Sequence, residues 1–248
     1  MAAFHSLKDR RYWLVGASEG LGRALALEMS RAGAEVIVSA RTQDRLDELV
    51  TELPGPGLAV TVDVTDRASV EAAAQEVGQI DGMVYLAGVY WPMKAQDWDN
   101  AHAEAMAEVN YIGASRVVGA VIGPMLAQGH GHIVLTGSLS GFRGLPGAIG
   151  YAASKAGVMA LAESMQADLK GSAIRVQLVN PGFIRTRLTD KNDFSMPFIM
   201  EPEAAAREML AHMRTGRFKK SFPTLFSLLF RGSQLLPDWA YYRLFAGR

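Results

Sequence analysis

Residues 12 to 31 read YWLVGASEGLGRALALEMSR, and this stretch decides the fold. Residues 12–15 are a short run of large apolar side chains, the pattern of a strand buried on both faces. From 21 to 31 the residues favour helix, and the apolar ones recur at helical spacing. Between them, Gly16-Ala17-Ser18-Glu19-Gly20-Leu21-Gly22 sets three glycines in the turn that joins strand to helix. The unpaired amides and the dipole at such a helix start form a seat for a pyrophosphate, and glycine lets the phosphate come close to the backbone. Gly16, Ser18, Gly20, Leu21 and Gly22 are therefore candidate binding residues for a dinucleotide.

The same alternation runs on. Strands are predicted at 36–39, 58–62, 82–86, 133–135 and 174–179, and helices at 44–53, 69–77, 104–126 and 151–169. Pro54 to Gly57 reads as a turn, and Asn180-Pro181-Gly182 closes the last strand. Apolar strands that alternate with helices of this length imply a parallel sheet covered on both sides. The fold class is α/β, a doubly wound parallel sheet of the Rossmann kind. With no linker, internal repeat or low-complexity tract, residues 1–248 read as a single domain.

The dinucleotide fingerprint places an acidic residue near the end of the second strand, where it holds the ribose 2'-hydroxyl. Here that region reads Ser39-Ala40-Arg41-Thr42. Arg41 can pair with a 2'-phosphate in a bidentate way, and Ser18 can add a hydrogen bond, so the sequence favours NADP(H) over NAD(H). A solvated loop arginine is the alternative reading of Arg41.

The totals narrow the function classes. The 25 basic and 25 acidic residues cancel, so no overall field attracts nucleic acid, and a 49 % apolar content supplies a sizeable core. There are no cysteines, which removes disulfides, thiolate nucleophiles and cysteine metal sites. His130 and His132 flank Gly131 without a third ligand, and no metal is expected. The chain passes from Lys8, Asp9, Arg10 and Arg11 straight into an apolar strand, without the hydrophobic region of a signal peptide, and reads as cytoplasmic. No uninterrupted apolar run approaches the ~20 residues that span a bilayer.

Residues 150 to 157 read GYAASKAG, which puts Tyr151 and Lys155 at i and i+4 on one helical face. An ammonium there is expected to stabilise the phenolate and lower its pKa from about 10 toward neutrality, which makes proton transfer feasible. The same pair occurs at Tyr90 and Lys94, but Pro92 between them argues against a helical turn.

Taken in order, Gly16, Gly20 and Gly22, Asp63, Ala87-Gly88, Asn110, Ser138, Tyr151, Lys155, Pro181-Gly182 and Thr186 resemble the short-chain dehydrogenase/reductase family over about residues 10 to 190. The resemblance implies that Tyr151 is the general acid/base of a carbonyl–alcohol interconversion. It implies that Lys155 also binds the nicotinamide ribose, that Ser138 steadies the substrate carbonyl, and that Asn110 holds a water that extends the proton relay. Asp63 and Val64 would line the adenine site, Thr186 would hold the carboxamide, and Ala87, Gly88, Pro181, Gly182 and Ile184 would complete the cofactor cleft. Capping a turn or helix is the rival reading of Asp63 and Thr186. Val15 stands where the family often has threonine and Leu86 where it often has asparagine; both departures bear on local packing more than on chemistry. Family members are commonly homodimers or homotetramers.

The resemblance fades after about residue 190, and a variable substrate lid and tail are expected over about residues 188–248. Met196-Pro197-Phe198-Ile199-Met200 suits a lid over an apolar substrate or plain core. FPTLFSLLF at 222–230 and PDWAYYRLF at 237–245, interspersed with Arg231, Arg243 and Arg248, suit packing within or between subunits first. Peripheral membrane contact comes second, because each segment is short for stable anchoring. The expected activity is an NADP(H)-dependent oxidoreductase that interconverts a carbonyl and a secondary alcohol on an apolar or lipid-like small molecule. A non-catalytic NADP(H)-binding sensor is the alternative.

Overall fold

Trp13 and Val15 point to one side of the first strand, β1 (Arg11–Val15), while Tyr12 and Leu14 point to the other, and all four are buried. That two-sided burial is what an apolar run without alternation encodes. The computed structural model describes residues 6–192 and 195–245.

The remaining strands are β2 (Glu35–Ala40), β3 (Gly57–Thr61), β4 (Gly82–Tyr85), β5 (Gly131–Thr136), β6 (Ile174–Pro181) and β7 (Lys219–Phe222). All pair in parallel, in the order β3-β2-β1-β4-β5-β6-β7. The helices are α1 (Gly20–Arg31), α2 (Gln43–Glu52), α3 (Arg67–Val77), α4 (Asn100–Ala107), α5 (Gly113–Gln128), α6 (Ile149–Asp168), α7 (Pro202–Met213), α8 (Thr224–Ser233) and α9 (Asp238–Phe245). Buried residues of α3, α5 and α6 meet Trp13, Val15 and Tyr85 on one face of the sheet. Those of α1, α2 and α7 meet Tyr12, Leu14 and Val84 on the other. The chain is thus a single Rossmann-like domain. Its winding reverses between β1 and β4, and a crevice opens at the carboxyl ends of those two strands.

Three findings depart from the sequence reading. The helix expected at 104–126 is not uniform: α4 and α5 are joined by one wide π turn, Glu108–Ile112, with Asn110 at its centre. Together they run from Asn100 to Gln128, 29 residues whose most apolar 18-residue stretch has a mean hydropathy of 1.2, long and apolar enough to cross a bilayer by length and composition. Met106, Val117, Val121 and Met125 of this helical run are buried in the fold. Beyond residue 190, where no elements were assigned, the chain adds α7, the polar edge strand β7, and the two tail helices α8 and α9. Arg248 lies outside the described residues.

At the heart of the sheet, the Tyr12 hydroxyl lies 2.8 Å from His132 Nδ1, and His132 Nε2 lies 2.9 Å from Gln177 Oε1. Gln177 spends its amide nitrogen on the carbonyls of His212, Thr215 and Arg217, so its oxygen accepts and His132 Nε2 donates. Burial, with Arg175 nearby, pushes the His132 pKa down to about 3, and the ring is neutral.

Candidate active site

The crevice holds a cleft of about 300 Å³. At its centre Gly16 has φ +94°, and a Cβ there would stand 2.3 Å from the Ala87 nitrogen. A Cβ on Gly22 would stand 2.1 Å from the Gly16 carbonyl oxygen. Both positions therefore require glycine, the first for its backbone and the second for its closeness. The two departures from the family pattern meet here: the backbone nitrogens of Leu86 and Ala87 both donate to the Val15 carbonyl, at 2.8 and 2.9 Å.

Glu19 precedes α1 in an extended conformation but its side chain does not cap the helix. Its carboxylate instead pairs with Arg45, 3.2 Å away, and with Arg187. The amides of the first turn of α1 receive no side-chain cap and open on the cleft beside Ser18, Gly20 and Leu21. That donor set fits a phosphate group.

Arg41, Asp63 and Val64 line the side of the cleft toward β2 and β3. Burial alone would raise the Asp63 carboxyl pKa. Hydrogen bonds to Oδ1 from Thr65 N (2.9 Å) and Oγ1 (2.7 Å), with the charges of Arg41 and Arg116, outweigh it and hold the pKa below the usual carboxylate value. Asp63 therefore structures its own turn while standing on the cleft wall. Ala87, Gly88, Pro181, Gly182, Ile184 and Thr186 line the opposite side.

Tyr151 in the first turn of α6, Lys155 one turn on, and Ser138 after β5 meet in the same cleft. Ser138 caps the short turn Leu139–Gly141, accepting from Ser140 N at 3.2 Å. Lys155 is 4 % exposed; its Nζ donates to the Thr136 carbonyl at 2.9 Å and lies 5.8 Å from the centroid of the Tyr151 ring. Burial lowers its pKa to about 8. Burial also pushes the Tyr151 phenol up to about 12, against a hydrogen bond with Ser138 that pulls it down and with Tyr90 adding to the rise. The phenol pKa is thus raised where a lowering was expected, because burial outweighs the hydrogen bond from Ser138 and the Lys155 ammonium is bonded to the Thr136 carbonyl, not to the hydroxyl. The Thr136 Oγ1, also on this wall, is buried without a protein partner. That orphaned hydroxyl gives the wall an unused polar group for a ligand.

Asn110 does not line the cleft. It is buried one layer behind, where its Oδ1 accepts from Val89 N (2.8 Å) and its Nδ2 donates to Val89 O (3.0 Å) and Ser154 Oγ (2.9 Å). Ser154 in turn donates to the Tyr151 carbonyl at 2.8 Å, so Asn110 ties the loop after β4 to the start of α6. The decoy pair at Tyr90 and Lys94 lies in a non-helical stretch, yet the Tyr90 ring sits 5.0 Å from that of Tyr151. In the segment 196–200, Met200 pairs with Ile184 and packs on the core while Phe198 is exposed; neither lines the cleft.

Thr42, Arg45, Arg187 and Thr189 line the cleft and were missed. Arg45 had a signal, since it follows Arg41 by one helical turn. Arg187 had only its place beside Thr186.

The model of the family described as short chain dehydrogenase matches residues 12–195. An uncharacterized oxidoreductase of Myxococcus xanthus is 35 % identical over 232 residues, covering 91 % of this chain and 92 % of its own. A 3-oxoacyl-(acyl-carrier-protein) reductase of Thermotoga maritima is 36 % identical over 232 residues, 89 % of each. Among solved structures, a variant of the actinorhodin polyketide ketoreductase with NADPH superposes with a TM-score of 0.78 at 25 % identity, over 86 % of this chain and 95 % of that one.

Proposed function

The chain belongs to the short-chain dehydrogenase family, and from that premise we propose that it is an NADP(H)-dependent oxidoreductase that interconverts a carbonyl and a secondary alcohol, with Tyr151 as the acid/base. The observation that carries this reading is the meeting of Tyr151, Ser138 and Lys155 in a cleft that also holds the uncapped start of α1.

Bound nicotinamide supplies or takes up the hydride. The protein's own part is the proton. Burial keeps the Tyr151 phenol protonated, so in the reducing direction it is ready to donate to the substrate oxygen. The charge then left on the phenol oxygen forms near the Lys155 ammonium, which lowers its cost. Ser138 stands beside the phenol and can hold the same substrate oxygen. Asn110 acts as a positioning residue through Ser154 and the Tyr151 carbonyl.

NADP(H) is favoured by two arginines, Arg41 and Arg45, on the rim where a 2'-phosphate would sit, with no acidic residue at the end of β2. The ketoreductase solved with NADPH agrees in kind. An apolar, lipid-like substrate is in keeping with the acyl substrate in the name of the Thermotoga maritima relative and with Phe183 and Phe226 behind Gly182. We further infer a homodimer or homotetramer in the cytoplasm.

The test is Tyr151→Phe, assayed with NADPH and a panel of carbonyls. Turnover should vanish while NADPH fluorescence titration is unchanged. An active Phe variant would refute the assignment, and a wild-type chain that binds NADPH but reduces no carbonyl would favour the sensor.

A further inference from the structure

We propose that the outward face of α8 and α9 docks on the anionic surface of a lipid bilayer. Six of the ten exposed large apolar side chains among the described residues stand between 225 and 242. Leu225, Leu228 and Leu229, at i, i+3 and i+4, form one stripe on α8, with exposures of 71 %, 53 % and 54 %. Leu235 between the helices is 88 % exposed, and Trp239 and Tyr242 on α9 are 73 % and 59 % exposed.

The inner faces of both helices are already spent. Phe226 is buried against the rings of Phe183 and Phe230. Tyr241 is buried under the Arg143 guanidinium, 3.9 Å from the ring centroid, and donates to the Gly144 carbonyl. Packing among the described residues therefore leaves the outer stripe uncovered.

Charge then chooses the occupant. The two helices carry Arg231, Asp238 and Arg243. Asp238 is taken by Arg143 at 2.6 Å, whereas Arg231 and Arg243 have no ion-pair partner among the described residues. A second copy applied to this face would bring the same two cations and, among the described residues of α8 and α9, no carboxylate beyond the one that Arg143 holds. Lipid phosphates supply the missing sign, while leucines enter the acyl boundary and Trp239 and Tyr242 suit the headgroup level. Two short helices give weak, reversible binding rather than a permanent anchor. The inner side of α8 backs on the cleft, since Phe226 lies against Gly182, so the docked protein would hold its cleft close to the lipid.

The test is co-sedimentation of the full chain with vesicles of phosphatidylcholine alone and of phosphatidylcholine mixed with phosphatidylglycerol, with particle mass followed by light scattering. The expected result is pelleting with the anionic vesicles that weakens at high salt. The double variant Arg231→Gln, Arg243→Gln should bind about tenfold or more weakly, since each surface cation contributes on the order of a factor of five. Leu228→Glu should abolish pelleting with particle mass and melting temperature unchanged. Wild-type protein that stays in the supernatant with both vesicles overturns the proposal. So does a Leu228→Glu variant of lower particle mass, which would assign the face to a second copy.

Discussion

The Lys155 ammonium stands 5.8 Å from the centre of the Tyr151 ring but gives its hydrogen bond to the carbonyl of Thr136. The lysine can therefore act on the phenol only through its charge, and that charge titrates. With the Lys155 pKa lowered to about 8, the ammonium is present below that pH and lost above it, while Tyr151, at about 12, stays protonated throughout. For carbonyl reduction, kcat/KM should be level up to about pH 8 and fall beyond it. In Lys155→Arg the fall should move to higher pH. A rate that rises through the same window would mean that a phenolate base, not the acid, limits the reaction.

Burial of that charge also costs stability. The sign follows from the lowered pKa: an unfolded lysine takes up its proton below about 10.5, but the folded one only below about 8. Stability therefore falls as pH drops from 10.5 to 8, and the deficit persists at neutrality. Lys155→Met removes it. The variant should lose activity yet melt a few degrees higher than wild type at pH 7, with the gap narrowing as pH rises past 8. A lower melting temperature would show that the bond to Thr136 is worth more than the desolvation.

Arg41 is exposed on the cleft rim, and Arg45, close by, is engaged by Glu19. Arg41→Ala should weaken NADPH binding roughly tenfold or more, in line with a charge-assisted hydrogen bond, and leave NADH binding nearly unchanged. Fluorescence titration with both cofactors reads this directly. Equal losses for the two would remove the 2'-phosphate from the account.

His132 makes the fold sensitive to acid. Its pKa, near 6.5 in an unfolded chain, is about 3 in the native state, so the native ring refuses a proton that the unfolded ring accepts. Its contribution is full above pH 6.5 and is lost as pH falls toward 3, by at most about 1.4 kcal/mol per pH unit. His212 is shifted in the same direction. Urea midpoints measured at pH 7 and pH 5 should drop more for wild type than for His132→Asn, although the variant starts lower. Parallel drops would show that carboxylates, not this ring, set the acid limit.

Much of the fold was legible because strands covered on both faces read as unbroken apolar runs, and glycines mark the turn after β1. The wide turn Glu108–Ile112 was not, since EVNYI carries no glycine or proline to mark a change of helix type. The edge strand β7, KKSF, is short and polar, so it forms only because β6 offers it a free edge. In the site, the spacing of Tyr151 and Lys155 placed them on one helical face, and both open on the cleft. It could not show the Thr136 carbonyl that captures the lysine, because that group comes from β5. Nor could it show how Glu19 joins Arg45 to Arg187 across parts of the chain far apart in sequence.

The wide turn around Asn110 works like a vernier on the long helix it interrupts. A turn of this width holds one residue more than the α-turn it replaces, so deleting one residue of 108–112 would let it close to ordinary α spacing and shift Asn110 away from Val89 and Ser154. The stripe of α5 that seals the sheet and the asparagine that braces the loop after β4 would then no longer be satisfied together. The turn must keep its length as well as its asparagine.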